Sequence, residues 1–296
     1  MTVYLDGAYL PRAQALVPVD DRGFLFGDGV YEVTRALDGR LFEWERHLRR
    51  LARGLDGLGI VLPEGGRLEA GQLLEVSERL LEENELGTGD ATVYLQITRG
   101  VAERRHHFPP PGTAPTVFLS ASRLAMPDEL RARGAAAVTT ADLRWERCDL
   151  KTINLLPNVL AKQQAVAAGA FEAILVRDGI VTEGASSNVL AVIGGGLTTH
   201  PATHRILAGI TREVVLELAA ELGLRVTLDP IPLNALSRAS EVMVTATTAD
   251  VMPVVKVDGR AIGDGQPGPV ARRLHAALRA RMQRAGKRAA AGASGP

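Results

Sequence analysis

The chain opens on two short β-prone runs, residues 3–5 and 8–10, parted by Asp6-Gly7. An Asp-Gly pair between such runs predicts a hairpin, because both turn residues tolerate positive φ. The signal recurs where Asp38-Gly39 separates residues 31–37 from 41–42. Over residues 44–58 the period changes, and Leu48, Leu51, Leu55 and Leu58 fall on one helix face. A second helix is expected from about Glu69 to Asn84, ending near Gly87. Residues 92–98 and 116–120 are rich in β-formers. The stretch between them, with Pro109-Pro110-Pro111, must be a loop because proline donates nothing to a central ladder.

Further on, strands are expected near 136–140, 172–177, 188–193 and 241–245, and helices over 158–168, 211–222 and 270–285. This order predicts an α+β chain of two lobes. The smaller N-terminal domain spans 1–119, with an interdomain linker over 120–127, a larger domain over 128–286 and a flexible tail over 287–296. No repeat period appears.

Composition narrows the function classes. With 46% hydrophobic and 23% charged residues, a packed core is expected rather than disorder. Lys+Arg and Asp+Glu both total 34, so no global field draws nucleic acid or an anionic membrane. Cys148 is the sole cysteine, which excludes an intramolecular disulfide and a cysteine-based metal site. The N-terminus lacks the features of a secretory signal, and no apolar run is long enough to span a bilayer. A soluble cytoplasmic protein without metal is the expectation.

Lys151 stands among apolar neighbours, where desolvation favours the neutral amine and makes it a competent nucleophile or base. Local sequence alone favours a lysine snorkelling to solvent, since most lysines are solvated. Gly184-Ala185-Ser186-Ser187-Asn188 follows Glu183 and lets backbone and hydroxyls approach a ligand, or is an ordinary turn. Ala208-Gly209-Ile210-Thr211-Arg212 opens an amphipathic helix whose first amides suit a phosphate, unless Thr211 or a neighbour caps them. Thr245-Ala246-Thr247-Thr248 sets hydroxyls where a strand meets a loop. Arg104-Arg105-His106-His107 is a solvated basic turn or, if extended, a carboxylate clamp with Arg104 and His106 on one side. Gly27-Asp28-Gly29 lacks the context of a dinucleotide fingerprint, and Ser186 and Ser187 lack a nucleophile elbow. The basic run from Arg272 to Arg288 reads as the solvated face of a terminal helix with Leu274, Leu278 and Met282 as its apolar seam.

Taken in order, these strings resemble the class IV aminotransferases: residues 21–32, 148–154, 181–188 and 207–212, with Gln96-Ile97-Thr98-Arg99-Gly100 leading to Arg104-x-His106. The resemblance runs from the N-terminus to about Gly265 and implies the two-domain fold-type-IV architecture with pyridoxal 5'-phosphate as cofactor. It makes Lys151 the catalytic Schiff-base lysine and puts Glu183 against the pyridine nitrogen. Arg50, Ile210, Thr211 and Thr247 would hold the phosphate, with Ser186, Ser187, Leu207 and Gly209 lining the cofactor. Tyr31, Arg104 and His106 would trap the substrate's α-carboxylate, the last two supplied by the partner of a homodimer. The implied reaction is transamination of a D-amino acid, D-alanine and 2-oxoglutarate giving pyruvate and D-glutamate. A branched-chain L-amino-acid aminotransferase or an aminodeoxychorismate lyase is the alternative, and neither is expected to carry the clamp. Lys151 and Glu183 both being present argues against a non-catalytic cofactor binder, while a basic-tailed nucleic-acid partner would show salt-sensitive DNA binding. Two positions depart from the pattern: Ala246 replaces a serine, and Arg105 replaces a small residue within the clamp.

Overall fold

Asp6 and Gly7 take φ of 46° and 94°, and this tight turn joins β1 (Thr2–Leu5) to β2 (Ala8–Pro11) as the sequence predicts. The structure is a computed structural model that describes residues 1–62 and 70–292. It divides into two units, one comprising Met1–Ala125 and Leu150–Asn154, the other Met126–Asp149 and Leu155–Arg284.

In the first unit, Asp21 caps the short helix α1 (Arg22–Phe26) by accepting from the Gly23 amide. Then come β3 (Gly29–Leu37), β4 (Arg40–Leu41), α2 (Trp44–Leu58), α3 (Ala70–Glu83), β5 (Asp90–Thr98) and β6 (Thr116–Arg123). The strands form one antiparallel sheet in the order β2-β1-β6-β5-β3-β4. Helices α2 and α3 bury Leu51, Leu55, Leu73 and Leu80 with Leu95, Ile97 and Leu119 of the sheet. The expected start of the second helix at Glu69 lies outside the described residues. Strand β6 runs into the stretch expected as a linker. It continues past Ser120 because residues 121–123 pair with β5, ending at Ala91↔Arg123.

The second unit runs α4 (Asp128–Arg133), β7 (Ala135–Ala141), α5 (Leu156–Ala167), β8 (Glu172–Arg177), β9 (Ile180–Gly184), β10 (Asn188–Ile193) and β11 (Gly196–Thr199). It continues α6 (Ile210–Glu221), β12 (Val226–Leu228), β13 (Ile231–Pro232), α7 (Leu233–Leu236), β14 (Glu241–Ala246), β15 (Asp250–Val257), β16 (Arg260–Ala261) and α8 (Pro269–Gly292). One mixed sheet follows the path β12-β11-β10-β14-β15-β7-β8-β9-β13, with β16 on β15. Strand β15 escapes the sequence reading because Pro253 interrupts it. Its parallel ladder with β7 begins only at Val254, so the missing N–H breaks no bond on that side. Along α8, Leu274, Leu278 and Met282 are buried as the seam predicts. Residues 287–292 continue the helix where a tail is expected, consistent with the helix propensity of their alanines. Residues 293–296 lie outside the described chain. Among the described residues no helix is long and apolar enough to cross a membrane.

Candidate active site

In the first unit, residues 150–154 lie beside β3. The Tyr31 amide donates to the Lys151 carbonyl at 3.0 Å, and the Ile153 amide to the Gly29 carbonyl at 3.0 Å. This pairing places the half-buried Lys151 amine 4.1 Å from the centroid of the Tyr31 ring, a cation–π contact. Tyr31 is flanked by Tyr94, 5.8 Å away, whose hydroxyl donates to Gln96. Burial, with a smaller contribution from Tyr31, pushes the Tyr94 hydroxyl up to about 12.

Strand alternation sends the next side chain, Glu32, to the opposite face of β3. There Arg50 of α2 donates to both its oxygens, Nε at 2.7 Å and Nη2 at 2.8 Å, and His47 Nδ1 lies 2.8 Å from Oε2. Burial alone would raise the Glu32 carboxyl, but Arg50 and His47 outweigh it and hold it down at about 2. Burial lowers His47, and the charges of Arg50 and Lys151 act in the same direction.

The loop after β5 is pinned at both ends. Gly100 has φ of 93°, and a Cβ there would run into the Ala114 carbonyl, so glycine closes the loop neck. Asp28 accepts from Arg22 and Arg99. Arg22 Nη1 also donates to the Arg105 carbonyl at 2.7 Å, between the two clamp positions. The Arg104 guanidinium lies 5.3 Å from the Phe26 ring and the His106 ring 5.7 Å from it, so one aromatic gathers both side chains. Both are exposed, and among the described residues no bond or ring contact joins either to Tyr31. Arg105 turns to Glu103 at the surface, 2.9 Å away.

In the second unit, the centre is Glu183 at the end of β9. Its carboxyl is buried and meets Arg144 Nη1. Asn188 Nδ2 donates to it at 2.9 Å, and the Leu207 amide lies 3.2 and 3.1 Å from its two oxygens. Burial pushes the Glu183 carboxyl up to about 7, against the pull of Arg144 and the Leu207 amide. Asn188 also donates to the Leu207 carbonyl at 2.8 Å. A Cβ at Gly209 would overlap Asn188 Oδ1, so this close approach requires glycine. Asn188 thereby ties Glu183 to the segment entering α6.

Gly209 is the N-cap of α6 and no side chain caps it, so Thr211 is not the cap and sits buried in the first turn. The Thr245 hydroxyl is buried without a partner at the end of β14, across from Asn188, and Thr247 is half-buried in the turn that follows. Ser186 and Ser187 both donate to Glu172 Oε2, at 3.1 and 2.8 Å, so their hydroxyl protons are committed within the chain. Sequence reasoning assigned no role to Glu32, His47, Asp142, Arg144 or Asn188. For His47 and Arg50 a signal existed, since both fall on the apolar face of α2.

Residues 29–257 match the family described as Amino-transferase class IV. The chain belongs to the class IV aminotransferases. It is 42% identical over 272 residues to the D-alanine aminotransferase of Staphylococcus epidermidis, covering 92% of this chain and 94% of that protein. To the D-alanine aminotransferase of Bacillus licheniformis it is 42% identical over 278 residues, covering 94% and 96%. A solved T.th. branched-chain amino acid aminotransferase, complexed with N-(5'-phosphopyridoxyl)-L-glutamate, matches with a TM-score of 0.86 at 28% identity, covering 96% of this chain and 94% of that one. Against these relatives the fold-type-IV expectation holds.

Proposed function

We propose that this chain is a pyridoxal-phosphate-dependent D-amino-acid aminotransferase. In this reading D-alanine and 2-oxoglutarate give pyruvate and D-glutamate in a ping-pong cycle. The observation that carries the choice of substrate is the gathering of Arg104 and His106 on Phe26, at the exposed tip of a pinned loop. Such a pair suits a carboxylate, with the guanidinium offering a planar fork.

The residues present fit the cofactor. An uncapped helix start and a buried hydroxyl without a partner suit a phosphate. The Glu183 carboxylate has about four lone-pair positions, so its donors leave room for a ring N–H. When bound, pyridoxal phosphate supplies the electron sink for charge developing at the substrate's α-carbon. Lys151 would hold the cofactor, and its amine is the group that would take and return the substrate's α-proton. Tyr31 orients that amine through its ring. Glu183 would face the ring nitrogen and accept its N–H. Ile210, Thr211, Thr247 and Arg50 would bind the phosphate, Arg50 being held in place by its bonds to Glu32. Ser186, Ser187, Leu207 and Gly209 line the cofactor, the serines through their backbone.

The enzyme acts as a homodimer in the cytoplasm, with Arg104 and His106 completing the carboxylate trap of the partner. The exposure of both residues, and of Leu16, Val17, Val19 and Phe24 in the same unit, supports this. The deciding experiment is the absorption spectrum of the purified protein before and after D-alanine or L-alanine. Conversion to the pyridoxamine form by D-alanine alone is expected. Conversion by L-amino acids alone would replace this reading with the branched-chain one.

A further inference from the structure

Asp142, just beyond β7, accepts from Arg144 three times: from the backbone amide at 3.1 Å, from Nε at 2.9 Å and from Nη2 at 2.8 Å. Thr182 of β9 donates to the same carboxylate at 2.8 Å, and Arg177 of β8 lies 3.2 Å from it. The Arg205 carbonyl accepts from Arg144 Nη2 at 3.2 Å. One edge of the guanidinium is thus fully engaged, and the remaining nitrogen, Nη1, meets Glu183. The Arg144 side chain is 7% exposed, so this orientation is built into the interior.

Among the described residues Arg144 is the cation that meets Glu183 directly, and the other donors to its carboxylate carry no charge. Asn188 and the Leu207 amide are neutral donors. Cys148 is pushed up to about 11 by burial and brings no charge near neutrality. Asp142 carries the wrong sign but is balanced by Arg177. Arg212 is a further buried cation that interacts with Glu183, with its guanidinium donating to the His200 carbonyl at 2.7 Å. A buried carboxylate left with neutral donors would bind a proton of its own. It would then compete with a ring nitrogen for the one proton between them.

Resting on the assignment of Glu183 to the pyridine nitrogen, we infer that Arg144, held by Asp142, is a positioning residue that aims a fixed positive charge at Glu183 and weakens the carboxyl's hold on the proton it would share with the ring. The shared proton therefore stays on the ring. Arg144 acts through Glu183 and touches no reacting atom.

The test is nitrogen-15 NMR of the enzyme loaded with cofactor labelled at the ring nitrogen, near neutral pH. The wild-type resonance is expected at the position of a protonated ring. Arg144→Met and Arg144→Gln, which remove the charge, are expected to move it toward the unprotonated position. Arg144→Lys is expected to move it less, a split that a purely structural role would not produce. Two substitutions of different shape guard against one failing to fold. Glu183→Gln serves as the reference. If it displaces the resonance while Met or Gln at position 144 leaves it unmoved, the role of Arg144 is overturned and that of Glu183 stands. If Glu183→Gln itself moves nothing, the assignment of Glu183 falls, and this inference with it.

Discussion

Glu183 and Arg104 are both ionisable side chains to which the proposed function gives a role, and the protein holds them in opposite ways. Glu183 is buried, and every donor around it belongs to an interior network from Asp142 through Arg144 to Asn188 and Leu207. Arg104 is exposed, and its own contact is with one aromatic ring, while the backbone beneath it is pinned by Arg22. A buried charge needs partners to exist at all, and those partners fix its protonation state. An exposed charge keeps its hydration, so only its backbone must be placed, and its side chain stays available to a ligand. In the proposed function, proton handling and substrate selection are thus built from different physical materials.

Glu183→Leu should show the largest effect. It leaves the Arg144 nitrogen without its carboxylate, and we expect a loss of about 3 kcal/mol in unfolding free energy. Turnover should fall on the order of 10²- to 10³-fold. A variant as stable as wild type in urea titration would break the view that this network is structural as well as chemical.

Arg104→Ala should separate the two regions cleanly. Losing one charged hydrogen bond to the substrate carboxylate predicts a rise in KM for D-alanine of about 10- to 100-fold. The melting temperature should stay within a degree or so, as for ordinary surface substitutions. Unchanged kinetics would remove this arginine from the trap.

The pH dependence of stability sharpens the contrast within buried carboxyls. Glu32 is held down at about 2, below its ordinary 4.5, so its contribution is present above 4.5 and lost as pH falls toward 2. Glu183 is pushed up to about 7, so its contribution is full below 4.5 and lost as pH rises through 7. Glu32→Gln should therefore flatten the acid limb of a stability profile, removing about 3 kcal/mol of its height. An unaltered acid limb would mean that Glu32 is not what acid breaks.

Arg105→Gly should do least. Its exposed pairing with Glu103 predicts D-alanine kinetics within about twofold of wild type. A larger change, or a gain with acidic substrates, would bring Arg105 into the trap.

Much of the fold was legible in the sequence. The Asp6-Gly7 and Asp38-Gly39 turns and the leucine spacing of α2 predicted elements with nearly the observed bounds, because a local rule decides each of them. Strand β15 was hidden by Pro253, whose tolerance depends on where a neighbouring strand begins. The candidate site divides in the same way. Lys151, Glu183 and the α6 start could be quoted from the sequence because they lie in contiguous strings. His47, Asp142 and Arg144 could not, since what marks them is a partner distant along the chain or a burial that no composition reveals.

The sequence by itself therefore determined the α+β organisation, the family strings and the residue types able to do the chemistry. Periodicity, turn residues and short motifs are local, and local physics reads them. Only the tertiary structure decided that Arg50 is paired through Glu32, that the Ser186 and Ser187 hydroxyls turn to Glu172, and that Arg144 stands behind Glu183. Those facts depend on which charges are taken out of water together, and burial is a property of the folded chain.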